Sequence, residues 1–167
     1  MNGLSLFANV GIAETYLKDV DIDIVVANEL LKDRAKFYRH LYPSCNMIQG
    51  DISDPQIYKE VIECATKEHV EFVIATPPCQ GMSIAGDMNP YDERNSLVKY
   101  AIDAIVDIEP KYVILENVPQ QLTTPIQYKN TEMLIPEYIK QRLGDKYIFN
   151  AEQILNTMDY EIPQMRR

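Results

Sequence analysis

A chain of 167 residues with 46% hydrophobic and 25% charged side chains can bury one real core and is too apolar to stay unfolded. Its net charge of −9 argues against a chain that grips nucleic acid unaided, because such surfaces are rich in Lys and Arg. No apolar run is long enough to span a bilayer, and Met1-Asn2-Gly3-Leu4-Ser5 lacks the basic-then-apolar order of a secretory signal, so no membrane partner is expected. Cys45, Cys64 and Cys79 form no CxxC pair and no metal-ligand spacing. This predicts free thiols in a cytoplasmic protein and no metal.

Taken in order, short apolar runs alternate with longer amphipathic stretches. Leu4–Ala8 reads as a first strand, followed by Asn9-Val10-Gly11, a turn that lets backbone approach a ligand. Taken alone, that tripeptide is better explained as an ordinary strand-to-helix turn. Ile24–Asn28 reads as a second strand ending in Glu29. An acid there can accept from both hydroxyls of a ribose, or simply sit solvated at a strand end. A helix is expected near 31–41. A third strand leads to Gly50-Asp51-Ile52, where Asp51 can accept from an adenine amino group or serve turn chemistry. The next helix, 55–68, has Asp54 to cap it and Pro55 at its first position.

Phe72–Thr76 reads as a fourth strand that runs into Pro77-Pro78-Cys79-Gln80-Gly81. Two prolines stiffen the backbone directly before a cysteine and present the sulfur rigidly. A lone cysteine is usually a buried structural residue, but this setting favours a functional thiol. The polar stretch from Gly81 to Arg94 has the length of a functional lid. A helix at 95–108 precedes a fifth strand, Tyr112–Leu115, which ends in Glu116-Asn117-Val118-Pro119. Strand ends share one edge of a sheet, so a carboxyl at Glu116 would face Cys79. A helix near 131–142 and a last strand over Tyr147–Leu155 complete the pattern. Strands separated by crossover helices predict an α/β fold with a mostly parallel, doubly wound sheet, whose ligands sit beyond the carboxyl ends of its strands.

Read together, these segments resemble the DNA cytosine-5 methyltransferase family over nearly the whole chain. Leu6-Phe7-Ala8-Asn9-Val10-Gly11 resembles its first motif, with Asn9 and Ile12 where glycines are typical; Asn tolerates the left-handed backbone such a position needs. Ala27-Asn28-Glu29 and Gly50-Asp51-Ile52 resemble the second and third motifs. Pro77-Pro78-Cys79-Gln80-Gly81-Met82-Ser83, with Ala85-Gly86, resembles the catalytic motif, and Asp92, Arg94 and Leu97 the next, with Asn95 replacing its glycine. Glu116-Asn117-Val118 resembles the acid motif. Asn156, Asp159-Tyr160 and Ile162-Pro163-Gln164-Met165-Arg166 resemble the approach to a Gln-x-Arg-x-Arg motif, whose second arginine would fall at position 168.

The resemblance implies a Rossmann-like S-adenosylmethionine-dependent methyltransferase fold and a catalytic, cofactor-binding domain spanning 1–167. The target-recognition domain and the last motif would lie elsewhere, on a C-terminal continuation or a complementary subunit, together with most of the basic DNA grip. It implies Cys79, Glu116 and Arg166 as catalytic residues. It implies Phe7, Ala8, Asn9, Gly11, Glu29, Asp51, Ile52, Pro78 and Leu97 around S-adenosylmethionine, with S-adenosylhomocysteine as product. Gln80, Ser83, Arg94 and Gln164 would touch a double-stranded DNA substrate. The implied activity is methylation of C5 of a flipped cytosine through a Cys79 adduct, in a restriction-modification system. Two alternatives are an RNA cytosine-5 methyltransferase and a non-catalytic cofactor-binding subunit. A dinucleotide oxidoreductase ranks last, because no GxGxxG follows the first strand. The unpartnered strand at Tyr147–Leu155 would leave an edge through which copies self-associate.

Overall fold

The computed structural model describes residues 1–79, 93–150, 154–161 and 164, with the backbone alone at Glu93 and Arg94. These residues gather into two units. The first comprises Met1–Pro78 and Ser96–Glu116, the second Cys79–Asn95 and Asn117–Arg167.

The first unit is built on five parallel strands: β1 (Asn2–Leu6), β2 (Asp23–Glu29), β3 (Asn46–Gln49), β4 (Phe72–Ala75) and β5 (Tyr112–Leu115), in the order β3-β2-β1-β4-β5. The chain winds outward from β1 in one direction through β2 and β3, then returns to lay β4 and β5 on its other side. The order therefore reverses between β1 and β4, which is where ligands of open α/β sheets bind. The first and fourth strands end two and one residues earlier than expected, so Phe7, Ala8 and Thr76 lie past the strands, on the carboxyl edge.

Burial explains the pattern of each strand. All four β4 residues are buried, as befits a strand covered on both faces, whereas Tyr112 and Ile114 of edge strand β5 are exposed. The register between β1 and β2 slips after Gly3. That irregularity brings Ile24 and Ala27, three residues apart, into one apolar cluster with Phe72 and Ile74 of β4, Met47 of β3, and Ala35 and Tyr38 of α1 (Lys32–Leu41). On α1 the buried positions are Ala35 and Tyr38, and half-buried Tyr42 just beyond continues the same helical stripe. Helices α2 (Pro55–Lys67) and α3 (Val98–Ile108) pack on each other, and Val61, Ala65, Ala101, Ile102 and Ile105 are fully buried. The expected cap is present: the Asp54 carboxylate accepts from the Gln56 N–H at 2.7 Å, with Pro55 opening the helix. A 3-10 turn over Glu93–Leu97 takes the first positions expected of the third helix.

The second unit departs from the sequence reading twice. The stretch 131–142 is not one helix. Thr131–Leu134 forms β7, antiparallel to β6 (Pro125–Tyr128), and α4 runs over Ile135–Leu143. Lys129 and Asn130, at φ 48° and 65°, make the two-residue turn between these strands, the geometry that suits strand twist in a tight hairpin. Pro136 and the Glu137 carboxylate, which accepts from the Leu134 N–H at 2.9 Å, start the helix only after the hairpin. The Tyr128 ring packs edge-on against Tyr138, with centroids 5.0 Å apart, and ties hairpin to helix. The second departure is the last strand. Among the described residues of Tyr147–Leu155, none is in a strand. Ile148, Phe149, Ile154 and Leu155 are exposed, so no neighbouring strand covers these described residues.

Candidate functional site

The site is the carboxyl edge of the five-stranded sheet, where β1 and β4 diverge. Directly after β1 the chain enters left-handed backbone at Phe7 (φ 59°), Asn9 (φ 53°) and Gly11 (φ 84°). Asn9 thus adopts the conformation that its tolerance of left-handed backbone permits. Gly11 has a second constraint: a Cβ there would lie 2.2 Å from Cε2 of Tyr42, so no other residue fits. The Ala8 N–H donates to the Asn28 carbonyl at 3.0 Å and the Gly11 N–H to the Ala8 carbonyl at 2.9 Å, which folds the loop back over the strand ends.

Glu29 closes this loop from the neighbouring strand. It is 5% exposed; Oε2 accepts from the Asn9 N–H at 2.9 Å and Oε1 from the Leu31 N–H at 2.8 Å. Each carboxylate oxygen has a second lone pair, so the group can still accept from a diol. Asn28, 2% exposed, sends its amide to the carbonyls of Ile48 at 3.1 Å and Gly50 at 3.2 Å. This anchors the turn carrying Asp51. That carboxylate is exposed, with Oδ1 accepting from the N–H and hydroxyl of Ser53 at 2.9 and 2.8 Å. Ile52 beside it is buried. On the other side of β1, the Thr76 hydroxyl donates to the Phe7 carbonyl at 3.1 Å, tying the start of the Pro-Pro segment to the loop. Pro78 is half-buried, as is Leu97 before α3. The Glu116 N–H donates to the Ala75 carbonyl at 3.0 Å, which places this exposed acid at the end of β5, next to β4.

Of the residues singled out in the sequence, Phe7, Ala8, Asn9, Gly11, Glu29, Asp51, Ile52, Pro78, Leu97 and Glu116 belong to the first unit. Cys79, a half-buried free thiol, follows Pro78 and is the first residue of the second unit, to which Gln164 also belongs. Gln164 is exposed, and its carbonyl accepts from the Thr157 hydroxyl. Gln80, Ser83, Arg166, the Arg94 side chain and most of the expected lid lie outside the described residues.

Sequence reading named Asn28 and Thr76 without giving either side chain a role, and it missed Glu14 and the Tyr38–Tyr42 pair. Asn28 carried a signal, a polar residue inside an apolar strand, whereas no local pattern marks the tyrosines. Glu14 is 3% exposed, and burial holds its carboxyl above the usual carboxylate range, only partly offset by the Ser5 hydroxyl. The Tyr38 hydroxyl donates to its Oε1 at 3.4 Å, while Oε2 has no hydrogen-bond partner among the described residues.

The strand order, the backbone-rich loop after β1 and acids at the ends of β2 and β3 together define a Rossmann-like methyltransferase fold. Two solved structures share it: a prophage-encoded E. coli protein described as a DNA modification methyltransferase (TM-score 0.75, 22% identity, 99% of this chain and 44% of that one) and the Dnmt2 methyltransferase of S. pombe (TM-score 0.70, 18% identity, 99% and 46%). The family profile for C-5 cytosine-specific DNA methylases matches residues 1–167, and the chain belongs to that family. Among curated relatives it is 41% identical to the type II methyltransferase M1.HgaI of Avibacterium volantium, over 99% of this chain and 47% of that protein. It is 26% identical to M.XorII of Xanthomonas oryzae pv. oryzae, over 99% and 38%. The chain therefore spans less than half the length of these relatives.

Proposed function

We propose that this chain is the cofactor-binding and catalytic part of a type II DNA cytosine-5 methyltransferase working in the cytoplasm on double-stranded DNA, with target recognition supplied by polypeptide outside these 167 residues. The observation that carries the reading is the Thr76–Phe7 tie at the sheet's switch point, from which Pro77 and Pro78 lead rigidly to Cys79. The type II relatives favour DNA over RNA as the substrate.

The residues present fit S-adenosylmethionine. A close-approach loop at Phe7–Gly11, a diol-accepting carboxylate at Glu29 and an exposed acceptor at Asp51 stand on three successive strand ends, with Ile52 as apolar backing and Pro78 and Leu97 on the far side of β1. Bound there, the cofactor supplies an electrophilic methyl group. Cytosine C5 is too weak a nucleophile to take it directly. The Cys79 thiolate adds to C6, and Glu116 gives a proton to N3, so the ring electrons collect at C5. Arg166 steadies the base, and Gln80, Ser83, Arg94 and Gln164 contact DNA around it. Once C5 carries the methyl group, loss of its proton to water expels Cys79 as the thiolate, and N3 returns its proton to Glu116, which restores the ring and the acid. A stacked base cannot reach such a thiol, so the cytosine must leave the duplex.

The test uses this chain together with the polypeptide that supplies target recognition. Duplex DNA bearing 5-fluorocytosine should trap a covalent adduct on the wild-type protein, because fluorine blocks the final elimination. Cys79→Ser should form none and keep its cofactor affinity. Methylation of ordinary cytosine with no adduct on the fluorinated duplex would overturn covalent catalysis through Cys79.

A further inference from the structure

In many doubly wound folds the turn after the first strand runs straight into a long helix that stiffens it. Here no such helix follows; the chain makes successive turns and only a 3-10 turn over Leu17–Val20. Something else must hold the loop in its left-handed course.

Three side-chain ties from the continuous segment of β2 and α1 do so, beside the Thr76 tie to Phe7 from the end of β4. Glu29, at the end of β2, accepts from the Asn9 N–H at 2.9 Å. Tyr42, at the end of α1, donates its hydroxyl to the Gly11 carbonyl at 2.6 Å, and its ring fills the space a Cβ on Gly11 would need. Tyr38, one turn earlier, donates to buried Glu14. The two tyrosine rings pack on each other with centroids 4.8 Å apart, so both hydroxyls reach the loop from one stack. Ile12 is 75% exposed, and it joins the loop through its carbonyl, which accepts from the Thr15 hydroxyl at 2.8 Å.

We propose that Tyr42, supported by Tyr38, is a positioning residue that holds the loop from Asn9 to Glu14 in the shape that receives S-adenosylmethionine. The short Tyr42 bond carries most of the effect, and the long Tyr38 bond carries little. The inference rests on the methyltransferase reading of the site. It makes α1 part of the cofactor site although none of its side chains need touch the ligand.

Tyr42→Phe removes the hydroxyl and keeps the ring. On this chain together with the polypeptide that supplies target recognition, calorimetry with S-adenosylhomocysteine should show affinity about five- to tenfold lower, the loss of one good hydrogen bond's worth of order. Tyr38→Phe should stay within about twofold by the same reckoning. Amide exchange without ligand should quicken at residues 8–15 in Tyr42→Phe while α2 and α3 keep their protection. Wild-type affinity and unchanged loop protection in Tyr42→Phe would overturn the proposal. So would a loss of protection spread evenly through the sheet, which marks a structural tyrosine only. If the wild-type chain binds no S-adenosylhomocysteine even together with the polypeptide that supplies target recognition, the methyltransferase reading falls instead, and exchange in the loop still judges the clamp.

Discussion

Glu14 shows what one side chain can reveal about a loop. Burial raises its pKa above 4.5, so the folded protein favours the neutral carboxyl. Below the unfolded value both states are protonated, and the contribution to stability is fully present. As pH rises through the folded value, that contribution is lost, because the buried group must ionise or strain against doing so. Glu14→Gln is neutral throughout. Its stability relative to wild type should therefore rise with pH from acid to neutral, as read by denaturant melts across that window. A difference that does not vary with pH would show that the carboxyl is not the titrating group. Nearby Cys45 is held as a thiol, pushed up to about 12 mainly by burial, and is inert at neutral pH. Sequence alone could not separate Cys45 from Cys79 by burial. It separated them by the prolines before Cys79, a backbone argument that needs no tertiary contact.

At the scale of elements, local chemistry was legible wherever it acted within a few residues. The Asp54-Pro55 start of α2 is the clear case. Asp54→Ala should cost about 1 kcal/mol; in a chain of this size that is a fall of about 2–4 °C in melting temperature. A melt within a degree of wild type would mean the cap is redundant. The β6–β7 hairpin was less legible. Its turn is Lys129-Asn130 rather than Asn-Gly, and the helical spacing of Ile135, Tyr138 and Leu143 extends by chance into Thr131–Leu134. Which of two periods wins there depends on the pairing of Pro125 with Leu134 and on the Tyr128–Tyr138 contact, both of which reach beyond one helical turn of the chain.

For the whole molecule, the sequence reading placed an open edge at Tyr147–Leu155; among the described residues the five-stranded sheet has edges at β3 and β5, and β5 is the one with exposed large apolar side chains. It pairs only with β4 and exposes Tyr112 at 59% and Ile114 at 46%. Unpaired edges with apolar faces recruit other chains. The isolated chain should therefore associate reversibly in sedimentation velocity as concentration rises, and Ile114→Lys should shift it toward monomer. A wild-type chain that stays monomeric at high concentration would show that this edge is protected.

By itself the sequence determined the fold class, the family and the order of the motifs. Each rests on short-range pattern: apolar runs of strand length, turn residues directly after them, and acids or a cysteine at strand ends. Tertiary structure decided how those strand ends meet. The β3-β2-β1-β4-β5 order sets the loop after β1 beside the Pro-Pro segment. Glu29 holds the loop's backbone, and Tyr42, 31 residues away in the chain, holds Gly11. Such ties join side chains to backbone groups across long sequence separations, and no local pattern specifies which carbonyl a tyrosine hydroxyl will find.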